Sequence, residues 1–453
     1  MKPFNKLGCR ESFRHICRGW IFYLKEIFVH RGISSAWDKA CRVDDMTRDE
    51  VIALQQRKMD NLLKYAVMHV PFYRRYASEH GMNVNALHIS DFPVVRKPDI
   101  RGHEQDFVSD EYRVDELACG STSGSTGEPF RFYHAKSEYT YSYAVLWRGL
   151  ARFGLRPGDR RVMFRGISGN GGLTWSTRIR VILSRMFNRM LLVDAHFLAR
   201  SDENIAVSYK RICAYHPVYF HGYVSAIYQL AAYLKRKGIS ADKLRRTLKV
   251  VVTESEKCRD FQRELIEEVL GVPVIENYGS VEFSMIAQPD VNGKKCINDD
   301  HIFIEEADGH EAVITNLDAY AFPFIRFCNG DQVILGGISG PYRTIDEIIG
   351  RSVEMLKLPT GGEIHGFTVL LPLLKHQSLF RNYQVQQKSL NHLIFRLIPM
   401  QEVPEDILDQ IKREVKAVYG ADVKIDFEFV DKIPLTSRGK QTFVYSDVNT
   451  VVN

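Results

Sequence analysis

The chain has 453 residues, 45% of them hydrophobic and 26% charged, and a formal net charge of +6. That length exceeds one ordinary hydrophobic core, so two or more domains are expected, and the composition excludes a disordered or fibrous chain. The basic excess is too small to point to nucleic acid. Eight cysteines are scattered with no Cys-x-x-Cys pair, which excludes a disulfide framework and a zinc site and fits a reducing cytosol.

Arg10, Arg14, Arg18, Lys25 and Arg31 alternate with Phe13, Ile16, Trp20, Phe22, Leu24 and Phe28 at the start of the chain. This basic amphipathic pattern suits a helix packed on the protein body, and equally one lying on an anionic membrane surface. Lys25 and Glu26 interrupt the apolar stretch, so it is not a signal peptide, and no run of about 18 apolar residues occurs to span a membrane. Residues 47–77 carry Leu54, Met59, Leu62, Leu63, Ala66 and Val67 at helical spacing, and Pro71 ends the pattern. The connector Asp91 to Lys97 reads as scaffold.

Gly120 to Gly127 packs three glycines and five hydroxyl side chains into eight residues. Glycine lets a backbone approach a ligand closely, and consecutive N–H groups in such a turn form an anion nest. The run is short and leads straight into β-prone Phe130 to His134, as in a strand–loop–strand hairpin. Phosphate binding is the expectation, against a surface linker. No Gly-Lys-Ser/Thr follows, so the loop is not a Walker loop and its lysine must come from elsewhere.

Residues 137–153 read as a helix. Arg161–Phe164, Met190–Val193, Pro217–Tyr223, Leu248–Val252 and Pro273–Asn277 are short apolar runs that read as buried strands alternating with helices. One of those helices is expected between Arg161–Phe164 and Met190–Val193, and another over residues 259–270 ending at Gly271. The alternation predicts an α/β layered domain with ligands at the carboxyl ends of its strands. Tyr278-Gly279-Ser280-Val281-Glu282 follows the last of them. There Tyr278 can stack on a base, Gly279 gives access and Glu282 is a hard oxygen donor for Mg²⁺. Residues 312–335 suggest a hairpin turning at Asn329-Gly330, with Asp331 placed to accept from a ribose diol. From about residue 352 a small α+β unit is expected. It has strands over 391–398 and 423–430 and a helix over 405–419, which presents Ile407, Leu408, Ile411, Val415 and Val418. Lys440 ends the turn Pro434 to Lys440.

In that order, Ser123-Gly124-Ser125-Thr126-Gly127-x-Pro129, Tyr278-Gly279-x-x-Glu282, Asn329-Gly330-Asp331 with Gly350-Arg351, and Pro-x-Thr-x-x-Gly-Lys440 resemble the motifs of the adenylate-forming (acyl-CoA synthetase) superfamily. Val70 to Arg74, His221 to Ser225 and Thr253 to Glu256 resemble its phenylacetate–CoA ligase branch, and there the CapK-type proteins of capsule and O-antigen loci. The resemblance covers roughly residues 50–445. It implies a large multilayer α/β adenylation domain over 46–350 and a small mobile α+β lid over 351–453, and the basic amphipathic helical segment read from the residues occupies 1–45.

By the same resemblance, Ser123, Gly124, Ser125, Thr126 and Gly127 would hold the ATP phosphates. Glu276, Asn277, Tyr278, Gly279 and Ser280 would line the nucleotide with Asp331 and Arg351, Glu282 would bind Mg²⁺, and Lys440 would reach the carboxylate and α-phosphate. His196, His221, Tyr223 and Glu254 are acyl-pocket candidates, each with an equally available structural role. The implied activity is ATP-dependent adenylation of a small-molecule carboxylate in the cytoplasm, followed by acyl transfer to coenzyme A, an amine or a sugar. The alternatives are an adenylyltransferase that leaves AMP on its product and a non-catalytic scaffold. Glu128, in place of a frequent lysine, and Val353-Glu354, in place of an acidic pair, depart from the family pattern. The polar run Gln288–Asp300 lacks the aromatic-glycine signature of phenylacetate ligases.

Overall fold

The computed structural model describes residues 12–29, 32–122, 130–166, 187–351, 355–376, 379–435 and 441–448. The chain divides into two compact units. The first takes the chain up to Phe164, the strand before Asp194 and Ile205–Ile349; the second takes Asp194–Asn204 and the chain from Gly350 on.

Two sheets carry the first unit. The five apolar runs form one of them, in the order Met190–Asp194, Arg161–Arg165, Tyr219–Gly222, Val250–Thr253 and Val274–Glu276. The last four pair in parallel, with Gly222 opposite Thr253 and Thr253 opposite Glu276. Their run-like rather than alternating sequence follows from burial on both faces: Val250, Val251 and Val252 are each fully buried. Helices join these strands as the alternation predicts. Asp260–Leu270 ends on Gly271, whose left-handed φ of 70° closes the helix. The helix expected between Arg161–Phe164 and Met190–Val193 lies outside the described residues.

The second sheet has eight strands. Ile302–Glu306, Glu311–Asn316, Phe327–Ser339, Tyr342–Arg351, Lys295–Ile297, Ser284–Pro289 and Tyr278–Ser280 follow one another, and Val95–Arg96 pairs in parallel with the Phe327 strand. Phe324 sits at the centre of its aromatic core, with ring centroids 4.9 Å from Phe327, 5.4 Å from Phe283 and 5.5 Å from Phe132.

Here the structure corrects the expected hairpin. Asn329-Gly330-Asp331 is not a turn but part of the 13-residue strand Phe327–Ser339. The pairing jumps from Val313–Cys328 to Glu311–Gln332, so these residues form a bulge with Gly330 at φ 85°. Asn-Gly supplies positive φ to a turn or to a bulge alike, and only the partner strand decides between them.

The helix Arg48–His69 begins on a Thr47–Glu50 capping box, and Pro71 opens the next helix, Pro71–Glu79. A polar hub fastens this layer to the core. Arg148 and Asp300, both fully buried, pair at 2.8 Å, and Asp300 also accepts from Tyr141 at 2.5 Å. Asp299 accepts from Arg48 at 2.6 Å and from Arg343 at 2.9 Å. The polar run that departs from the ligase signature is thus the anchor of the unit.

The second unit holds the sheet Lys424–Phe429, His392–Pro399, Phe380–Ser389 and Val444–Ser446. Its helix Glu405–Tyr419 buries Ile411, Val415 and Tyr419, while Val418 is exposed. The buried face is therefore one residue away from the predicted stripe at its carboxyl end: Tyr419, an i+4 successor of Val415, replaces Val418.

Candidate active site

The two sheets meet at a single residue. The parallel sheet ends at Glu276, the second sheet begins at Tyr278, and Asn277 alone joins them, its N–H donating to the Thr253 carbonyl at 2.9 Å. Asn277 is 4% exposed, yet neither its side-chain oxygen nor its nitrogen has a hydrogen-bond partner. A buried, unpaired amide costs about 1–3 kcal/mol. Such a group calls for a partner that the protein alone does not supply.

Its neighbours divide the remaining roles. Glu276 is committed to the fold: its carboxylate accepts from the Cys258 N–H at 2.6 Å and pairs with Lys295 at 2.8 Å. The Tyr278 hydroxyl donates to Asp331 at 3.1 Å, and the Asn329 amide donates to the same oxygen at 2.8 Å. The bulge thus turns Asp331 toward the sheet junction, and Tyr278 and Asp331 are brought together. Gly279 is required by the strand pairing itself. A Cβ there would lie 2.0 Å from the Ser284 carbonyl oxygen, so only glycine lets the Tyr278 and Ser284 strands pair.

Glu282 sits in the tight turn between those strands with its side chain 3% exposed. Its Oε1 lies 3.3 Å from the Lys97 ammonium, an ion pair without hydrogen-bond geometry. Sequence reading took Lys97 for scaffold. The same ammonium lies 5.8 Å from the Phe130 ring centroid. Phe130 opens the return strand of the hairpin Ala118–Thr122 and Phe130–His134, in which Thr122 faces Phe130. A cation thus stands at the foot of the glycine-rich hairpin. Ser123, Gly124, Ser125, Thr126 and Gly127, like Lys440, lie outside the described residues. Arg351 ends its strand, with its side chain outside the description.

On the adjoining strands two motifs clasp each other. His221 Nε2 meets the Glu254 carboxylate at 2.9 Å. Farther along both segments, Glu256 accepts from the Ser225 N–H at 2.9 Å and from its hydroxyl at 3.0 Å. With Nε2–H donated to Glu254, buried Nδ1 of His221 is left without a hydrogen-bond partner. Tyr223 is buried beside them, its N–H donating to the Phe164 carbonyl at 3.0 Å. His196 belongs to the second unit, in the short helix Ala195–Leu198 capped by Asp194. Burial pushes the Cys258 thiol up to about 12, so it is a poor nucleophile for carrying an acyl group.

Comparison with known proteins accounts for this layout. Residues 358–447 match the family model of the CapK C-terminal domain. Protein CapK of Staphylococcus aureus is 22% identical over 415 residues, covering 88% of this chain and 90% of its own. Both matches are to CapK-type proteins, to which this chain is similar. The phenylacetate–coenzyme A ligase of Thermus thermophilus is also 22% identical, over 88% of this chain and 97% of its own. The crystal structure of 2-hydroxyisobutyryl-CoA ligase in the postadenylation state shares the fold, with a TM-score of 0.69 at 21% identity over 89% of this chain and 90% of that one. This chain therefore has the fold of that ligase, a large α/β unit followed by a smaller C-terminal one.

Proposed function

We propose that this chain joins a carboxylic acid to AMP at the expense of ATP and then passes the acyl group to coenzyme A or to an amine or sugar acceptor, in the cytoplasmic assembly of a surface polysaccharide. The observation that carries this reading is that three residues of the motifs keep buried polar atoms without hydrogen-bond partners: both side-chain atoms of Asn277, Oε1 of Glu282 and Nδ1 of His221. All three residues lie at the carboxyl edge of the parallel sheet or in the turn just beyond it. Relatives at about the same distance in sequence are named phenylacetate–coenzyme A ligases, which supports the same chemistry.

In this reading a carboxylate oxygen forms a bond to the α-phosphorus, the bond from that phosphorus to its bridging oxygen breaks, and pyrophosphate leaves. The acceptor then adds to the acyl carbon, AMP leaves, and the acceptor's proton is lost. Asn277 and Tyr278 line the base, and Asp331, held by Tyr278 and Asn329, accepts from the ribose hydroxyls. Ser123 to Gly127 cradle the β- and γ-phosphates with Lys97 at their foot. Bringing two anions together is the barrier, and preorganised cations offset it.

Among the described residues no group of three or more acidic, histidine or cysteine side chains could hold a metal. Mg²⁺, which would supply charge neutralisation on the phosphates, would thus be held by Glu282 and the nucleotide itself, as Mg²⁺ commonly is. Lys440 would reach the carboxylate and α-phosphate from the C-terminal unit.

The test is pyrophosphate release from ATP and Mg²⁺ across a panel of carboxylic acids, with the wild type and Lys440→Ala. Acid-dependent release that collapses in the variant is expected. Tight ATP binding with no release for any acid would replace the ligase by an AMP transferase.

A further inference from the structure

The N-terminal segment has one buried face and one exposed face. Phe13 and Ile16 are buried against Trp37, and in the helix Trp20–Val29 so are Phe22 and Glu26. The other face of that helix is uncovered. Phe28 is 84% and Trp20 55% exposed, with Leu24 and Ile27 exposed beside them. Positions 20, 24, 27 and 28 fall on one stripe of a 3.6-residue helix, so this is a continuous apolar face.

Its chemistry indicates what covers it. Over the first 31 residues seven lysines and arginines stand against two glutamates. Among residues 12–29 the only acidic side chain, Glu26, is buried and paired with Lys25. Arg14 is exposed and holds its guanidinium 4.8 Å from the Trp20 ring centroid, so a cation sits on the aromatic edge of the stripe. A second element extends the surface. Lys25 donates to Asn188, and on either side of Asn188 in the chain Phe187 and Arg189 are exposed. Apolar side chains flanked by cations, with no exposed carboxylate among them, complement an anionic lipid surface. A protein partner would have to bring both an apolar patch and a compensating acidic one.

We infer that the face formed by Trp20, Leu24, Ile27 and Phe28 lies in the headgroup layer of an anionic membrane and holds the protein peripherally at its surface. No helix among the described residues is long and apolar enough to cross a membrane, so this attachment is shallow and reversible. It does not depend on the reaction proposed above.

The test is cosedimentation of the full chain with vesicles of phosphatidylcholine alone and of phosphatidylcholine mixed with phosphatidylglycerol. The wild type should bind the mixed vesicles, bind the neutral ones weakly, and come off as salt is raised. The variant Trp20→Ser/Leu24→Ser/Phe28→Ser should lower the partition by about tenfold or more. Its thermal midpoint should be unchanged because these side chains are exposed. If it melts lower, Phe28→Ser alone carries the test. Absence of binding to the mixed vesicles, equal binding to both kinds, or unchanged binding by the variant would overturn the inference. So would a dimer in gel filtration that the variant abolishes, which would make the face a self-interface.

Discussion

The Lys97 ammonium stands 3.3 Å from the Glu282 carboxylate although 185 residues separate them in the chain. If Lys97 steadies the triphosphate as well as Glu282, Lys97→Ala should lower the rate of pyrophosphate release at saturating ATP by about 10²–10³, the usual loss for one preorganised charge partner. Glu282→Gln should instead raise the Mg²⁺ concentration needed for half-maximal release. A rise in KM for ATP with kcat unchanged in Lys97→Ala would confine the lysine to ground-state binding.

Tyr278 and Asp331 share one hydrogen bond, so their variants should differ in size. Tyr278→Phe removes a donor while Asn329 still holds Asp331, and should weaken ATP binding by no more than about 1.5 kcal/mol. Asp331→Ala removes both acceptor oxygens offered to a ribose diol and should weaken it by about 1.5–3 kcal/mol, the range for bonds to charged groups. Calorimetric titration with ATP separates the two. Equal losses would mean that Tyr278 acts only through Asp331.

At the proposed acyl end, Glu254→Gln should leave His221 without its anionic partner. The KM for the carboxylate is expected to rise about tenfold, one buried charge-assisted hydrogen bond, with the KM for ATP unchanged. Kinetics with each substrate varied in turn check this. A change confined to ATP would remove His221 and Glu254 from the acyl pocket.

Stability rests elsewhere. Burial alone would raise the Asp300 carboxyl, but the Arg148 guanidinium, with Lys58 and the Tyr141 hydroxyl, outweighs it and holds the carboxyl far below the usual range. A carboxyl whose folded value is depressed contributes stability above its unfolded value, about 3.9, and that contribution is lost as pH falls toward the folded value. Asp300→Asn leaves Arg148 buried without its main counter-charge and should cost about 3–5 kcal/mol near neutrality. Its urea midpoint should also fall less steeply than the wild type's on acidification below about pH 4. A midpoint equal to the wild type's at pH 7 would contradict this account.

Much of this architecture is legible in the sequence for local reasons. Apolar runs bounded by turn residues mark the parallel strands, and Gly271 marks a helix end. Residue type and order likewise single out Tyr278, Glu282 and Asp331, of which the structure brings Tyr278 and Asp331 together. What escaped is long-range. Lys97 lies in a connector whose own composition says nothing of Glu282. The polar run to Asp300 looked like a departure from a motif, because Arg148, which explains it, comes 152 residues earlier. Asn329-Gly330 carries the same signal for a turn and for a bulge, and the partner strand Glu311–Asn316 resolved it.

The one-residue link at Asn277 bears on how such a protein can diversify. Inserting or deleting a residue there would turn over the side-chain alternation of a strand in one sheet or the other, and neither core tolerates that. Evolution and engineering can therefore lengthen the loops around this edge, but at the seam itself only the identity of the side chain is open to change. New preferences at this edge would arise by substitution at fixed spacing. A library that varies Asn277 alone therefore has more prospect of yielding folded protein than one that varies the spacing from Glu276 to Tyr278.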